Sequence, residues 1–226
     1  MPMPNLTIVI LAAGLSQRLG FAKQYILKNN QTLLAEKIEL ALKLEPNQVL
    51  VVLPKLNNAL SRALYEDVAQ LPVTVIDNPT PDTGIALSIR LAIEYLQTQS
   101  ASPHTRVLFL TVDQIALTEQ DLVQLTQPVT DTQLIVSCYD NNEPPTFGIP
   151  VNLPLSFLIA FAHRLQGDKG FRAMWQHSTQ ITTTEHGTYQ LFSIFLPHLG
   201  FDIDTPADFE KAQVGYHLQK NLTFIK

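Results

Sequence analysis

The chain has 226 residues, of which 46% are apolar and 15% charged, and it carries a net charge of −5. That length gives room for one α/β domain with a substantial core, and the acidic balance argues against duplex nucleic acid as a partner. A lone cysteine, Cys138, rules out an internal disulfide and a cysteine-built zinc site, and no apolar run reaches the length of a membrane span.

In chain order, apolar runs over residues 6–12, 49–53, 73–76, 107–112 and 134–138 predict strands buried on both faces, because they lack alternation. Helix-length amphipathic segments lie between them. Residues 33–44 form one, with Pro46 as its stop signal. Residues 57–70 place Leu60, Leu64 and Val68 on one face, and residues 85–97 do the same with Leu87, Leu91 and Leu96. Strands alternating with helices predict right-handed βαβ units and a mostly parallel central sheet. After about residue 140 the alternation decays. Residues 155–165 look helical, 190–195 strand-like, and Asp204-Thr205-Pro206 announces a closing helix over 207–218. With no internal repeat and no linker, residues 1–226 read as a single Rossmann-like, three-layer domain with an elaborated C-terminal third. The N-terminus has no basic lead and no cleavable apolar segment, so a cytoplasmic protein with no membrane or nucleic-acid partner is expected.

Ligands of such sheets bind beyond the carboxyl ends of the strands. The first strand runs into Leu11, Ala12, Ala13 and Gly14, followed by Ser16, Arg18, Gly20 and Lys23. Small residues expose backbone N–H groups, and the hydroxyl and two cations that follow suit a polyphosphate. The spacing is neither that of a Walker loop nor that of a dinucleotide loop. At a second strand end stands Asp113, which can ligate a hard cation or cap the next turn. Asp202 and Asp204 would share one face of a short strand, with Asp204 also able to cap a helix.

Gly84 and Ser88 open a helix whose free N–H groups can face a ligand. Gly167, Asp168, Lys169, Gly170 and Arg172 describe a tight turn that either is exposed or closes over a substrate. The histidines have no metal-ligand spacing, no nucleophile elbow is present, and Trp175 and Cys138 read as core residues.

Taken together, these segments resemble the MocA-like branch of the molybdenum-cofactor nucleotidyltransferases, within the nucleotide-diphospho-sugar-transferase-like folds. The pattern Leu-Ala-Ala-Gly-x-Ser-x-Arg-hydrophobic-Gly-x-x-Lys is matched in full from position 11 to position 23. Weaker matches follow at Gly84 and Ser88, Asp113 and Gln114, Gly148 with Ile149 and Pro150, residues 167–172, and residues 202–206.

The resemblance implies transfer of a nucleoside monophosphate from CTP or GTP to a phosphorylated acceptor of the molybdopterin type, with release of pyrophosphate. It further implies that Leu11, Ala12, Ala13, Gly14, Ser16, Gly84 and Ser88 contact the nucleotide, and that Arg18 and Lys23 neutralise the triphosphate. Gly148, Gly167, Asp168 and Arg172 would face the acceptor. Asp113 and Asp204 would hold Mg2+, Asp204 being favoured over Asp202. The Ala12-Ala13-Gly14 core is the form associated with CTP, and a molybdoenzyme client is an implied partner.

Three departures stand out. Ile115 replaces a family proline, Phe171 a small residue that would shape the acceptor pocket, and Lys23-Gln24-Tyr25 is similar to the cytidylyltransferases acting on methylerythritol phosphate. That activity, or a non-catalytic accessory role in cofactor delivery, is the alternative expectation.

Overall fold

A computed structural model describes residues 3–55, 58–127, 129–175, 180–183 and 187–221. Eight strands build the main sheet: β1 (Met3–Leu11), β4 (Pro46–Pro54), β5 (Thr74–Asn78), β6 (Arg106–Thr111), β7 (Gln133–Cys138), β8 (Phe147–Pro154), β9 (Gln180–Thr183) and β10 (Gly187–Phe195). Three two-residue strands, β2 (Leu27–Lys28), β3 (Gln31–Thr32) and β11 (Leu218–Gln219), form a separate small sheet. The main order is β5-β4-β1-β6-β8-β7-β10-β9. β1, β4, β5 and β6 pair in parallel, as do β7 and β10, whereas β8 runs against both of its neighbours and β9 against β10.

Alternate residues of β1 serve the two faces. Ile8 and Ile10 pack toward α1 (Leu33–Lys43), α2 (Ala59–Val68), α4 (Glu119–Leu125) and α6 (Pro206–Tyr216). Val9 and Leu11 pack toward α3 (Ile85–Thr98) and α5 (Leu155–Phe161). Helix–sheet–helix layering explains why the strand is apolar without alternation. Helix starts follow local chemistry. The Thr32 side chain accepts from the Ala35 N–H and Asn58 from the Ser61 N–H, and Thr118 with Asp121 and Thr205 with Asp208 form reciprocal capping boxes.

The three-layer, mostly parallel α/β fold agrees with the sequence reading, and the central helices lie within two residues of their predicted ends. Two local expectations are corrected. Residues 202–204 pair with no strand and form an extended connection, although Ile203 is buried between the two more exposed aspartates. Residues 155–165 break after Phe161 into a 3-10 turn. Trp175 caps a 3-10 stretch (Gly167–Met174) interrupted at Gly170. Both side chains read as core are buried: Cys138, and Trp175 against Phe157 and Phe171. Among the described residues no helix is long and apolar enough to cross a membrane.

Candidate nucleotide-transfer site

From β1 the chain leaves to one side, toward β4, while β6 lies on the other. Their adjacent carboxyl ends are therefore a topological switch point, where a crevice is expected. A cavity of about 630 Å3 opens there, lined by the loop after β1, the start of α3, Asp113, and part of the 167–172 segment.

The loop after β1 is held open by its neighbours. The Ala12 N–H donates to the Val52 carbonyl at 3.0 Å. Buried Gln24 donates from Nε2 to the carbonyls of Ala12 at 2.6 Å and Gly14 at 2.9 Å. A Cβ on Gly14 would meet nothing within 4 Å, so glycine here bares backbone to the cavity. Ser16 adopts a left-handed φ of 51°, and its carbonyl accepts from the Leu19 and Gly20 N–H groups, both at 3.1 Å. Its hydroxyl accepts from the Lys23 N–H at 3.2 Å. Serine thus shapes the turn and sets the position from which the Lys23 side chain departs.

The Lys23 ammonium donates to Asp113 Oδ2 at 2.8 Å and to Asp204 Oδ1 at 2.6 Å. Arg18, mostly exposed, reaches Asp204 Oδ2 at 2.7 Å. Burial opposes the charge on Lys23, but Asp113 and then Asp204 more than offset it, so the ammonium is held above its usual range. Burial likewise opposes the charge on Asp204, and Lys23 and Arg18 hold its carboxyl below the usual range. Asp202 goes the other way. Its burial and the negative Asp113 and Asp204 push it up to about 6, with Lys23 and Arg172 relieving part of the strain.

The opposite wall begins at Gly84, whose φ is +98° and which precedes α3 with no side-chain cap. A Cβ on it would lie 2.4 Å from the Gly167 carbonyl carbon and 2.6 Å from Asp168 Oδ1, so glycine is what lets the 167–170 turn rest on the helix start. Arg90 fixes the approach to that turn by donating to the Leu165 carbonyl at 2.6 Å. Phe171 contacts the Phe109 and Trp175 rings at 5.0 and 6.2 Å. It therefore anchors the turn in the core, and Lys169 and Arg172 remain exposed beside the cavity.

Leu11, Ala12, Ala13, Gly14, Ser16, Arg18, Lys23, Gly84, Ser88, Asp113, Asp168, Arg172 and Asp204 all border the one cavity. Ser88 is nearly enclosed, and its hydroxyl accepts from Asn78 Nδ2 at 2.9 Å. Gly148, which is buried, and Gly167, which is exposed, do not border the cavity. Gly148 leaves room for Tyr139, whose hydroxyl would sit 2.4 Å from a Cβ there, and which itself borders the cavity. Tyr139 and the Gln114 carboxamide both donate to the Ile149 carbonyl. Gln24 and Tyr139 are contributors for which sequence reasoning found no role in the site, and Gln114 stood out there only beside Asp113 in the family match.

Among the described residues no group of three or more His, Cys, Asp or Glu side chains is arranged to hold a metal ion by itself. The donor set still suits Mg2+. Asp113 and Asp204 converge on one cation, the Lys23 ammonium, and Mg2+ commonly takes one or two carboxylates while substrate phosphates and waters complete its shell.

Residues 8–182 match the MobA-like NTP transferase domain. The chain belongs to that family. Comparison with curated proteins gives no match. Among solved structures, a nucleotidyl transferase from Methanothermobacter aligns with a TM-score of 0.72 and 16% identity, over 94% of this chain and 97% of that one. Rv0371c from Mycobacterium tuberculosis, in complex with manganese, aligns at 0.65 and 20%, over 92% and 97%. Molybdopterin-guanine dinucleotide biosynthesis protein A from Archaeoglobus fulgidus aligns at 0.58 and 13%, also over 92% and 97%. At these identities the likeness speaks for the fold, and the family match makes the chain a nucleotidyltransferase.

Proposed function

We propose that the chain, acting as a single cytoplasmic domain, moves CMP, in preference to GMP, from the nucleoside triphosphate to a phosphate of molybdopterin. An oxygen of the acceptor phosphate attacks the α-phosphorus. The bond from that phosphorus to the α–β bridging oxygen breaks, and pyrophosphate leaves with its electron pair. The attacking oxygen is already anionic, so no general base is required, and positioning with charge stabilisation supplies the catalysis.

One observation carries this reading. The bared backbone after β1, the cations Arg18 and Lys23, the carboxylates Asp113 and Asp204, and the 167–172 turn share one cavity. The backbone of residues 11–14 would receive base and phosphates, with Ser16, Gly84 and Ser88 shaping their bed. Arg18 and Lys23 would neutralise the triphosphate as it enters. Asp113 and Asp204 would hold Mg2+, which when bound offsets charge on the phosphates. Arg172, with Asp168 ordering its turn, would hold the acceptor phosphate, and Gly148 and Gly167 would shape that side without bordering the cavity. The preference for CTP rests on the Ala12-Ala13-Gly14 core, and the acceptor on the matches at residues 167–172 and 202–206. A molybdoenzyme that receives the finished cofactor is the partner this reading implies.

The test incubates the protein with Mg2+, labelled CTP or GTP, and molybdopterin, and measures pyrophosphate release and label transfer. Methylerythritol phosphate is included as a parallel acceptor. Transfer to molybdopterin supports the assignment. Transfer only to methylerythritol phosphate replaces the acceptor, and molybdopterin binding without turnover replaces the enzyme by a carrier.

A further inference from the structure

Beneath the Asp113 turn lies a group of charges that takes no part in the cavity lining. Glu36 in α1 receives two ammonium groups: Lys28 Nζ at 2.5 Å on Oε1 and Lys37 Nζ at 2.8 Å on Oε2. Lys37 is fully buried, and the Lys28 and Glu36 side chains are less than one-fifth exposed. Lys28 has a second partner across the molecule, the Ile115 carbonyl at 2.7 Å. Two lysines on one carboxylate leave one positive charge over, next to the segment that carries Asp113. Burial lowers the Lys37 pKa; Glu36, and more weakly Asp113, act in the opposite direction.

The geometry of the turn gives that contact a purpose. Ile115 N–H donates to the Asp113 carbonyl at 2.9 Å, and Leu117 N–H to the Gln114 carbonyl at 3.2 Å. On one side the turn is tied to β8 through Gln114 and the Ile149 carbonyl. On the other, Lys23 reaches the Asp113 carboxylate from the cavity side and Lys28 holds the Ile115 carbonyl, whose own side chain is buried and apolar. An unbranched ammonium stem could bend away, but the Glu36 carboxylate fixes its head, and Lys37 fixes the carboxylate in turn.

We propose that Lys28, clamped by Glu36 and Lys37, is a positioning residue that holds the Asp113–Ile115 turn and so sets where the Asp113 carboxylate stands. The proposal deepens the nucleotidyl-transfer reading and rests on it for its catalytic consequence. Its structural half stands alone. Reactions that depend on placement respond steeply to displacements of about an ångström, so losing the brace affects turnover more than nucleotide binding.

Two measurements on full-length Lys28→Met separate the halves. Amide hydrogen exchange at Ile115 and Leu117 is expected to rise roughly tenfold while β1 amides stay protected. Unchanged exchange at those two amides overturns the brace, whether or not the protein is an enzyme. Pyrophosphate release is expected to show kcat reduced roughly tenfold with the KM for nucleotide changed less than about twofold, and Lys28→Arg is expected to restore most of the loss. Faster exchange with unchanged kcat, or equal losses in both lysine variants, overturns the positioning role. If wild type turns over no acceptor, the transfer reading fails instead, and Mn2+ affinity by electron paramagnetic resonance takes the place of kcat. The brace then predicts weaker Mn2+ binding in Lys28→Met, and equal binding overturns it. Lys28→Gln, too short to reach the carbonyl, carries the same comparisons if the methionine variant does not fold.

Discussion

Lys23 places its ammonium 2.8 Å from Asp113 Oδ2 although 90 positions separate the two residues. A cation thus already bridges the carboxylates expected to hold the metal, and a divalent ion must displace it. Removing the ammonium therefore has opposite effects on two ligands. Lys23→Met is expected to weaken nucleotide binding roughly tenfold or more, since a charge-assisted contact is lost. In the absence of nucleotide the same variant is expected to bind Mn2+ several-fold more tightly. Calorimetric titration with each ligand checks both, and weaker binding of Mn2+ alone would remove Lys23 from competition for that place.

Asp113 should be indispensable to turnover while contributing little to folding. Asp113→Ala is expected to lower pyrophosphate release by roughly a thousandfold, the scale of losing a group that acts on developing charge. Its far-ultraviolet circular dichroism should be unchanged. Activity within tenfold of wild type would exclude Asp113 from the metal site.

Asp202 should trade stability for function. Its pKa of about 6 lies above the ordinary value of 3.8, so ionising it costs the folded protein free energy. Below about pH 3 the residue is neutral whether folded or unfolded, and the cost is absent. It grows as pH rises from the ordinary value of 3.8 to about 6 and is then fully present. Asp202→Asn is therefore expected to raise stability at pH 7 by about 1–3 kcal/mol without metal, and to leave it nearly unchanged at about pH 3. Urea unfolding at the two pH values tests this, and a variant no more stable than wild type at pH 7 would contradict it.

Gln24 holds two carbonyls of the loop after β1 from beneath. Gln24→Leu removes this donor from both and leaves the Ala12 carbonyl unpaired in a buried setting, at a cost of about 1–3 kcal/mol. The nucleotide KM should rise, because the bared backbone loses its fixed shape. Thermal unfolding together with a nucleotide titration measures the two effects.

At Gly84 both conformation and space demand glycine. Gly84→Ala requires φ near +98° and forces the 167–168 turn away, so acceptor KM is expected to rise more than nucleotide KM. Equal changes in both would show that the turn does not serve the acceptor side.

The central strands and helices were legible because burial on two faces writes unalternating apolar runs, as at Ile8, Val9 and Ile10, and because Asp204-Thr205-Pro206 announces α6, whose cap Thr205 forms with Asp208. The strand β8 was hidden. Its Gly148, Pro150 and Pro154 belong to turn vocabulary, and only pairing with β6 and β7 makes the segment a strand. The charged members of the site were legible because carboxylates and cations at strand ends have few structural uses. The roles of Gln24 and Lys28 were not, since a neutral amide and a lysine in a two-residue strand acquire meaning only from carbonyls distant in sequence.

Because β8 runs against its neighbours, it brings its amino end to the edge where β6 and β7 bring their carboxyl ends. The rim beside Tyr139 and Ile149 is consequently spun from a hairpin, residues 139–147, and not from a strand-to-helix crossover. A hairpin tip can lengthen, shorten or change sequence while the strands below keep their register. Tyr139 and Ile149, at the base of the hairpin, border the cavity, so a change of length at the tip would leave both them and the half built on β1 in place.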